Sequence, residues 1–167
     1  TNWKGQLEFI DVIKKIDTQN ILLLFAGDTK NESYTKLVQN KIKQNNLESI
    51  CKILGSVNQD EMRSLYQIAD LSVSFPLRAE GFGRTVSESL YSNTPVLAFD
   101  YGGVKNQLEN LSDLFKVKPH DYQGLPKKIE VLLNLNEDQK KDALQDAQLV
   151  IEKNFSKTNM VNQYMKL

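Results

Sequence analysis

The sequence has 167 residues, enough for one domain with a sizeable hydrophobic core and short of two. Apolar residues make up 40% and charged residues 25%, the balance of an ordinary globular chain and not of a disordered one. Lys plus Arg and Asp plus Glu number 21 each, so the formal net charge is zero and no nucleic-acid-coating or strongly membrane-attracted surface is expected. Cys51 is the only cysteine and His120 the only histidine, which excludes an internal disulfide and nearly excludes a metal site built from Cys and His. No apolar run approaches the ~18 residues that span a bilayer, and the start lacks a signal-peptide pattern, so a cytoplasmic location is expected.

Thr1-Asn2-Trp3-Lys4-Gly5 reads as a loop entering a helix in which Leu7, Ile10, Ile13 and Ile16 recur at helical spacing. Asn20–Ala26 is a continuous apolar run ending at Gly27-Asp28, the pattern of a strand buried on both faces of a parallel sheet. Leu37, Val38 and Ile42 mark a helix over about Tyr34–Asn45, and the strand Ile50–Leu54, with Cys51 in its core, ends at Gly55. Asn58 with Glu61 three residues on predicts a capping box, and Met62, Leu65, Tyr66 and Ala69 follow on one helical face. Leu71–Phe75 and Pro95–Phe99 read as strands around a short helix, Arg84–Tyr91; Leu114–Val117 is a weaker fifth strand. Gly124–Leu133, Asp138–Glu152 and a last segment N-capped by Ser156 carry helical patterns.

Strands alternating with helices at this spacing predict βαβ units, and so an α/β domain with a Rossmann-like parallel sheet and flanking helices over residues 1–167. A domain of this kind is expected to have a strand just ahead of Lys4. The chain is therefore expected to be part of a longer protein.

In open parallel sheets ligands bind beyond the carboxyl ends of the strands, and the glycine-rich loops gather there: Gly27-Asp28-Thr29, Gly55-Ser56-Val57, Leu77–Gly83 and Tyr101-Gly102-Gly103. Glycine after a strand is ordinary loop chemistry, so no single loop names a ligand. The informative stretch is Ala79–Glu88, which runs from a strand-end loop into a helix. Its glycines leave backbone N–H groups open to an anion at the helix N-terminus. Glu88 lies two positions from both Val86 and Leu90 and points away from their apolar stripe.

Glu80 and Glu88, with seven residues between them and Gly81-Phe82-Gly83 after the first, resemble the Glu-x7-Glu signature of the family 4 (group 1) retaining glycosyltransferases. Other motifs follow in family order: Lys4-Gly5, Gly27, Leu54-Gly55-Ser56-Val57, Leu65–Asp70, Thr94-Pro95-Val96 and Gly102-Gly103. The resemblance implies the C-terminal, donor-binding half of a GT-B enzyme that transfers a sugar from a nucleotide diphosphate to a saccharide or lipid-linked acceptor. An N-terminal acceptor domain would belong to the same protein, and a lipid acceptor would bring it to a membrane surface.

By the same resemblance, Glu88 would bind the donor ribose and Glu80 would sit beside the donor sugar. Phe82, Gly83 and Arg84 would line the sugar and diphosphate, Lys4 would contact the diphosphate and stabilise the leaving group, Val57 would lie by the base, and Gly55, Ser56 and Gly81 would also belong to the donor-binding site. No cofactor and no metal are expected, because positioned cations and amides can stabilise the departing diphosphate. Asn106 stands where many members have Glu, and Thr29 replaces a frequent second glycine.

Three other readings compete. One is a nucleotide-binding module without catalysis, one a nucleotide-sugar 2-epimerase-like GT-B domain, and one a flavodoxin-like or receiver domain. His120, Arg78 and the Lys127-Lys128 and Lys140-Lys141 pairs read as surface residues, and Trp3 as packing for the first helix or for the other domain.

Overall fold

The computed structural model describes residues 1–109, 111–156, 159, 161 and 165. In chain order the elements are α1 (Gln6–Ile13), β1 (Leu23–Ala26), α2 (Glu32–Gln44), β2 (Cys51–Gly55), α3 (Gln59–Ile68) and β3 (Ser72–Ser74). They continue as α4 (Arg84–Tyr91), β4 (Val96–Phe99), α5 (Gly103–Leu108), β5 (Lys116–Val117), α6 (Leu125–Leu133) and α7 (Glu137–Phe155). A 3-10 turn, Asp113–Phe115, leads into β5. Most of the expected segment after Ser156 lies outside the described residues, although the Ser156 hydroxyl accepts from the Asn159 amide at 3.2 Å.

Every strand pairing is parallel, as expected, but the strands form two sheets and not one. β1 pairs with β2, Leu23 opposite Cys51; β3, β4 and β5 form the second sheet, Val73 opposite Leu97 and Phe99 opposite Val117. No pairing joins β1 to β3. Between their free edges runs a groove of about 1630 Å³, lined by Leu23, Phe25, Val73 and Phe75 and by Phe9 and Ile13 of α1.

This opening corrects the first expected strand. Asn20–Ala26 was expected to be buried on both faces, yet β1 begins at Leu23 and is only half-buried, with Leu22 61% exposed. The Ile21 amide donates to the Thr18 carbonyl, and that turn delays the strand. β4 does show the two-sided burial of a central parallel strand: Val96, Leu97, Ala98 and Phe99 are all inside.

Side-chain caps define the starts of α2, α3 and α7. The expected capping box at Asn58 is present, its side chain accepting from the Glu61 amide at 2.9 Å and Glu61 accepting from the Asn58 amide at 2.7 Å. A second box, Asn136 with Gln139, starts α7 one residue earlier than expected, and Asn31 caps α2 two residues earlier. The core that positions the site is a line of aromatic rings. Phe99 of β4 meets Phe75 at 5.0 Å, and Phe75 meets Phe9 of α1 at 5.4 Å. This line fixes the start of α1 against the carboxyl end of β3.

Candidate active site

The start of α1 carries the first polar group. Gly5 has a left-handed φ of 79°, and a Cβ there would lie 2.0 Å from the Phe75 carbonyl oxygen. Only glycine lets the chain pass this close to β3. The Leu77 amide donates to the Trp3 carbonyl at 2.7 Å and completes the junction. Lys4 is thereby carried to the loop after β3, where its Nζ lies 2.5 Å from Glu80 Oε1. The Glu80 side chain is only 11% exposed, so the Lys4 ammonium is its counter-charge. The same Nζ sits 4.6 Å from the centre of the Trp3 ring.

The loop from Glu80 to Gly83 rests on α5. The Gly103 amide donates to the Glu80 carbonyl at 2.8 Å. A Cβ on Gly103 would lie 2.1 Å from the Gly81 carbonyl oxygen, so the loop backbone occupies the place of a side chain. The buried Gln107 amide nitrogen donates to the Phe82 carbonyl from below. α4 starts immediately after Gly83 with no side-chain cap, and its first amides are left free for an anion.

Glu88 lies one turn into α4, half-buried, between the fully buried Val86 and Leu90. The Tyr66 hydroxyl donates to Glu88 Oε2 at 3.3 Å. Burial, and next the Glu88 carboxylate, push the Tyr66 hydroxyl well above the usual tyrosine range, so Tyr66 holds its proton. Burial and then the Glu80 carboxylate raise Tyr101 in the same direction, and its hydroxyl donates to the Pro76 carbonyl.

Seven residues singled out from the sequence share one cleft of about 530 Å³: Lys4, Glu80, Gly81, Phe82, Gly83, Arg84 and Glu88. Ser56 and Val57 line the carboxyl end of the larger groove, which shares Lys4, Arg84 and Glu88 with the cleft. Gly55 lines neither; it closes β2 with a φ of 75°, and its carbonyl accepts from the Gly27 amide at 2.8 Å. His120 and Arg78 are exposed, as expected. Among the described residues no group of three or more His, Cys, Asp or Glu side chains is arranged to hold a metal ion. No described helix is long and apolar enough to cross a membrane.

Sequence reasoning missed three groups of this site. Thr85 borders the cleft from the first turn of α4, and Tyr66 and Gln107 act from behind it. Tyr66 was legible only as an apolar-face residue. Gln107 had one signal, a polar side chain between Val104 and Leu108 on a short apolar face.

An α/β domain with parallel strands and an uncapped helix start beyond their carboxyl ends has its cleft where open parallel sheets bind ligands. Residues 1–148 match the model of the glycosyl transferases group 1 family, and the chain belongs to that family. The trehalose synthase of Thermococcus litoralis is 27% identical over 172 residues, covering 99% of this chain and 41% of that protein. A glycosyltransferase structure from Rickettsia africae superposes with a TM-score of 0.89 at 27% identity, over 99% of this chain and 44% of that one. HepE from Anabaena, solved in complex with UDP-glucose, shares the fold at a TM-score of 0.85 and 24% identity, over 100% of this chain and 46% of that one. The chain thus spans about two fifths of the length of the curated relatives it matches. Its fold is that of one half of a GT-B glycosyltransferase.

Proposed function

We propose that this chain is the donor-binding half of a retaining glycosyltransferase that takes a nucleotide diphosphate-sugar and transfers the sugar to a saccharide or lipid-linked acceptor. The observation that carries the reading is the placement of Glu80 and Glu88 in one cleft with Lys4 and the uncapped start of α4. Glu88 accepts hydrogen bonds from the ribose hydroxyls, with Oε2 already oriented by Tyr66. The diphosphate takes the free amides at α4, together with Arg84 and Lys4. As the sugar leaves, charge develops on the diphosphate, and Lys4 turns from Glu80 to meet it. Glu80 is then free for the sugar. The UDP-glucose bound to HepE makes UDP the first nucleotide to test.

We also place the strand expected ahead of Lys4 in the groove between β1 and β3. Two observations support this: both flanking edges are parallel and unpaired, and the Trp3 carbonyl already bonds the Leu77 amide beyond β3. Chain running back from Trp3 therefore enters the groove alongside β3 and parallel to it.

Calorimetric titration of the full-length protein with UDP, GDP and ADP, with and without magnesium, tests the main reading. One of them binds without metal, and Glu88→Ala weakens it at least tenfold, the loss expected for hydrogen bonds to a charged group worth about 1.5–3 kcal/mol. Unchanged affinity in the variant refutes the role of Glu88. Absence of transfer of a radiolabelled sugar to any acceptor, with binding intact, leaves the nucleotide-binding module as the better reading.

A further inference from the structure

Gln107 is fully buried on α5, between Val104 and Leu108, where an apolar side chain of the same volume would fit without a polar atom to satisfy. Its amide nitrogen donates to the Phe82 carbonyl and lies 3.5 Å from the Gly83 carbonyl oxygen. Its amide oxygen is also buried and has no partner. An unpaired buried acceptor works against stability, so packing alone does not account for a glutamine here. The pinned carbonyls point to what does.

In a trans peptide the C=O and the N–H lie in one plane and point in opposite directions, and no peptide bond among the described residues is cis. The Phe82 carbonyl belongs to the peptide that carries the Gly83 N–H. The Gly83 carbonyl belongs to the one that carries the Arg84 N–H. The Gly83 carbonyl also accepts from the Val86 amide at 3.0 Å, so the first turn of α4 already sets the plane that carries the Arg84 N–H; holding the Phe82 oxygen inward, toward α5, turns the Gly83 N–H outward, toward the cleft that Gly83 lines. Gly83 has a left-handed φ of 80°, a region where glycine has no single strong preference, so the loop itself does little to fix the plane that carries the Gly83 N–H.

We propose that Gln107 is a positioning residue that aims the Gly83 amide at the anionic part of the ligand; this rests on the donor-binding reading above. It touches no ligand itself. Its side chain sets the orientation of the Phe82–Gly83 peptide plane, and that plane presents its donor before any ligand arrives, beside the Arg84 amide that α4 already holds, which removes the cost of reorganising the loop on binding.

Three measurements on the full-length protein test it, with Gln107→Met and Gln107→Glu. In ligand-free Gln107→Met, amide exchange across residues 80–86 quickens at least tenfold, while α1 and β4 keep wild-type rates and the melting temperature holds or rises. UDP, or whichever diphosphate the wild type binds, loses at least tenfold in affinity. In Gln107→Glu, burial holds the carboxyl neutral at low pH, where its O–H donates to the Phe82 carbonyl. Affinity is therefore kept at low pH and falls as rising pH ionises the group, a profile that a packing role does not produce.

Wild-type exchange in Gln107→Met overturns the inference, whatever UDP does. So does a uniform rise in exchange with a fall in melting temperature, which marks a merely structural residue. A loosened loop in a protein that binds no nucleotide diphosphate supports the loop role and refutes the donor reading instead.

Discussion

Replacing Gly103 with alanine tests the seat of the 80–83 loop without touching a charge. The new Cβ would stand 2.1 Å from the Gly81 oxygen, 2.6 Å from the Phe82 Cα and 2.7 Å from the Gly81 carbonyl carbon. All three are backbone atoms, so no flexible side-chain end can give way. To bring the shortest contact to 3.0 Å, the loop must recede by about 0.9 Å and stretch the 2.8 Å bond from the Gly103 amide to the Glu80 carbonyl.

A misplacement of this size near reacting groups costs on the order of 100-fold in rate. The cost in stability is smaller. Overpacking costs roughly 1–3 kcal/mol, and alanine in place of glycine within a helix returns up to about 1 kcal/mol. Donor affinity and transfer rate should therefore collapse in a protein that still melts cooperatively. Gly124→Ala is the control: its φ is −76°, and its nearest neighbour would be Asp121 Oδ2 at 3.4 Å. Wild-type kinetics in Gly103→Ala, or equal losses in both variants, refute the claim that α5 seats the loop.

The strand placed in the groove predicts that the amides of Leu24 and Val73, which face the free edges of β1 and β3, exchange slowly in the full-length protein and much faster in residues 1–167 alone; equal rates rule the placement out. Tyr66 predicts an alkaline limit. Its folded-state pKa is raised above 10.0, so the stability it contributes is complete below that value and is lost as pH rises beyond it. Denaturant unfolding between about pH 9 and 11 should show this fall, and Tyr66→Phe should reduce it. Part of the fall should remain, because burial, Glu8 and Tyr101 push Tyr122 up to about 12 as well. An unaltered slope in Tyr66→Phe refutes the assignment.

Local signals were legible where one residue type forces one conformation. The capping box at Asn58, the extent of Arg84–Tyr91 and the strand over Val96–Phe99 follow from side chains within a few positions of one another. α5 escaped notice because six residues give too short a period, and Gly102-Gly103 reads as a loop until Val104, Gln107 and Leu108 are seen on one buried face. The split of the sheet was not legible either. A run such as Ile21-Leu22-Leu23-Leu24-Phe25 records that a strand has apolar neighbours and says nothing of whether the neighbour on each edge lies in the same stretch of sequence.

The site shows the same division between local and distant information. Glu80 and Glu88 are close in sequence, and a motif can hold them. Lys4 and Glu80 are 76 positions apart, and nothing in the spacing of charges pairs them. What brings them together is apolar: the ring line from Phe9 through Phe75 to Phe99, and the missing Cβ at Gly5. The pair in turn explains how a carboxylate with an 11% exposed side chain is held in the cleft. With the ammonium beside it Glu80 is compensated, and on the proposed reading an incoming diphosphate competes for that ammonium while the sugar hydroxyls replace it at Glu80. Binding then exchanges one set of charge-assisted bonds for another and strands no charge.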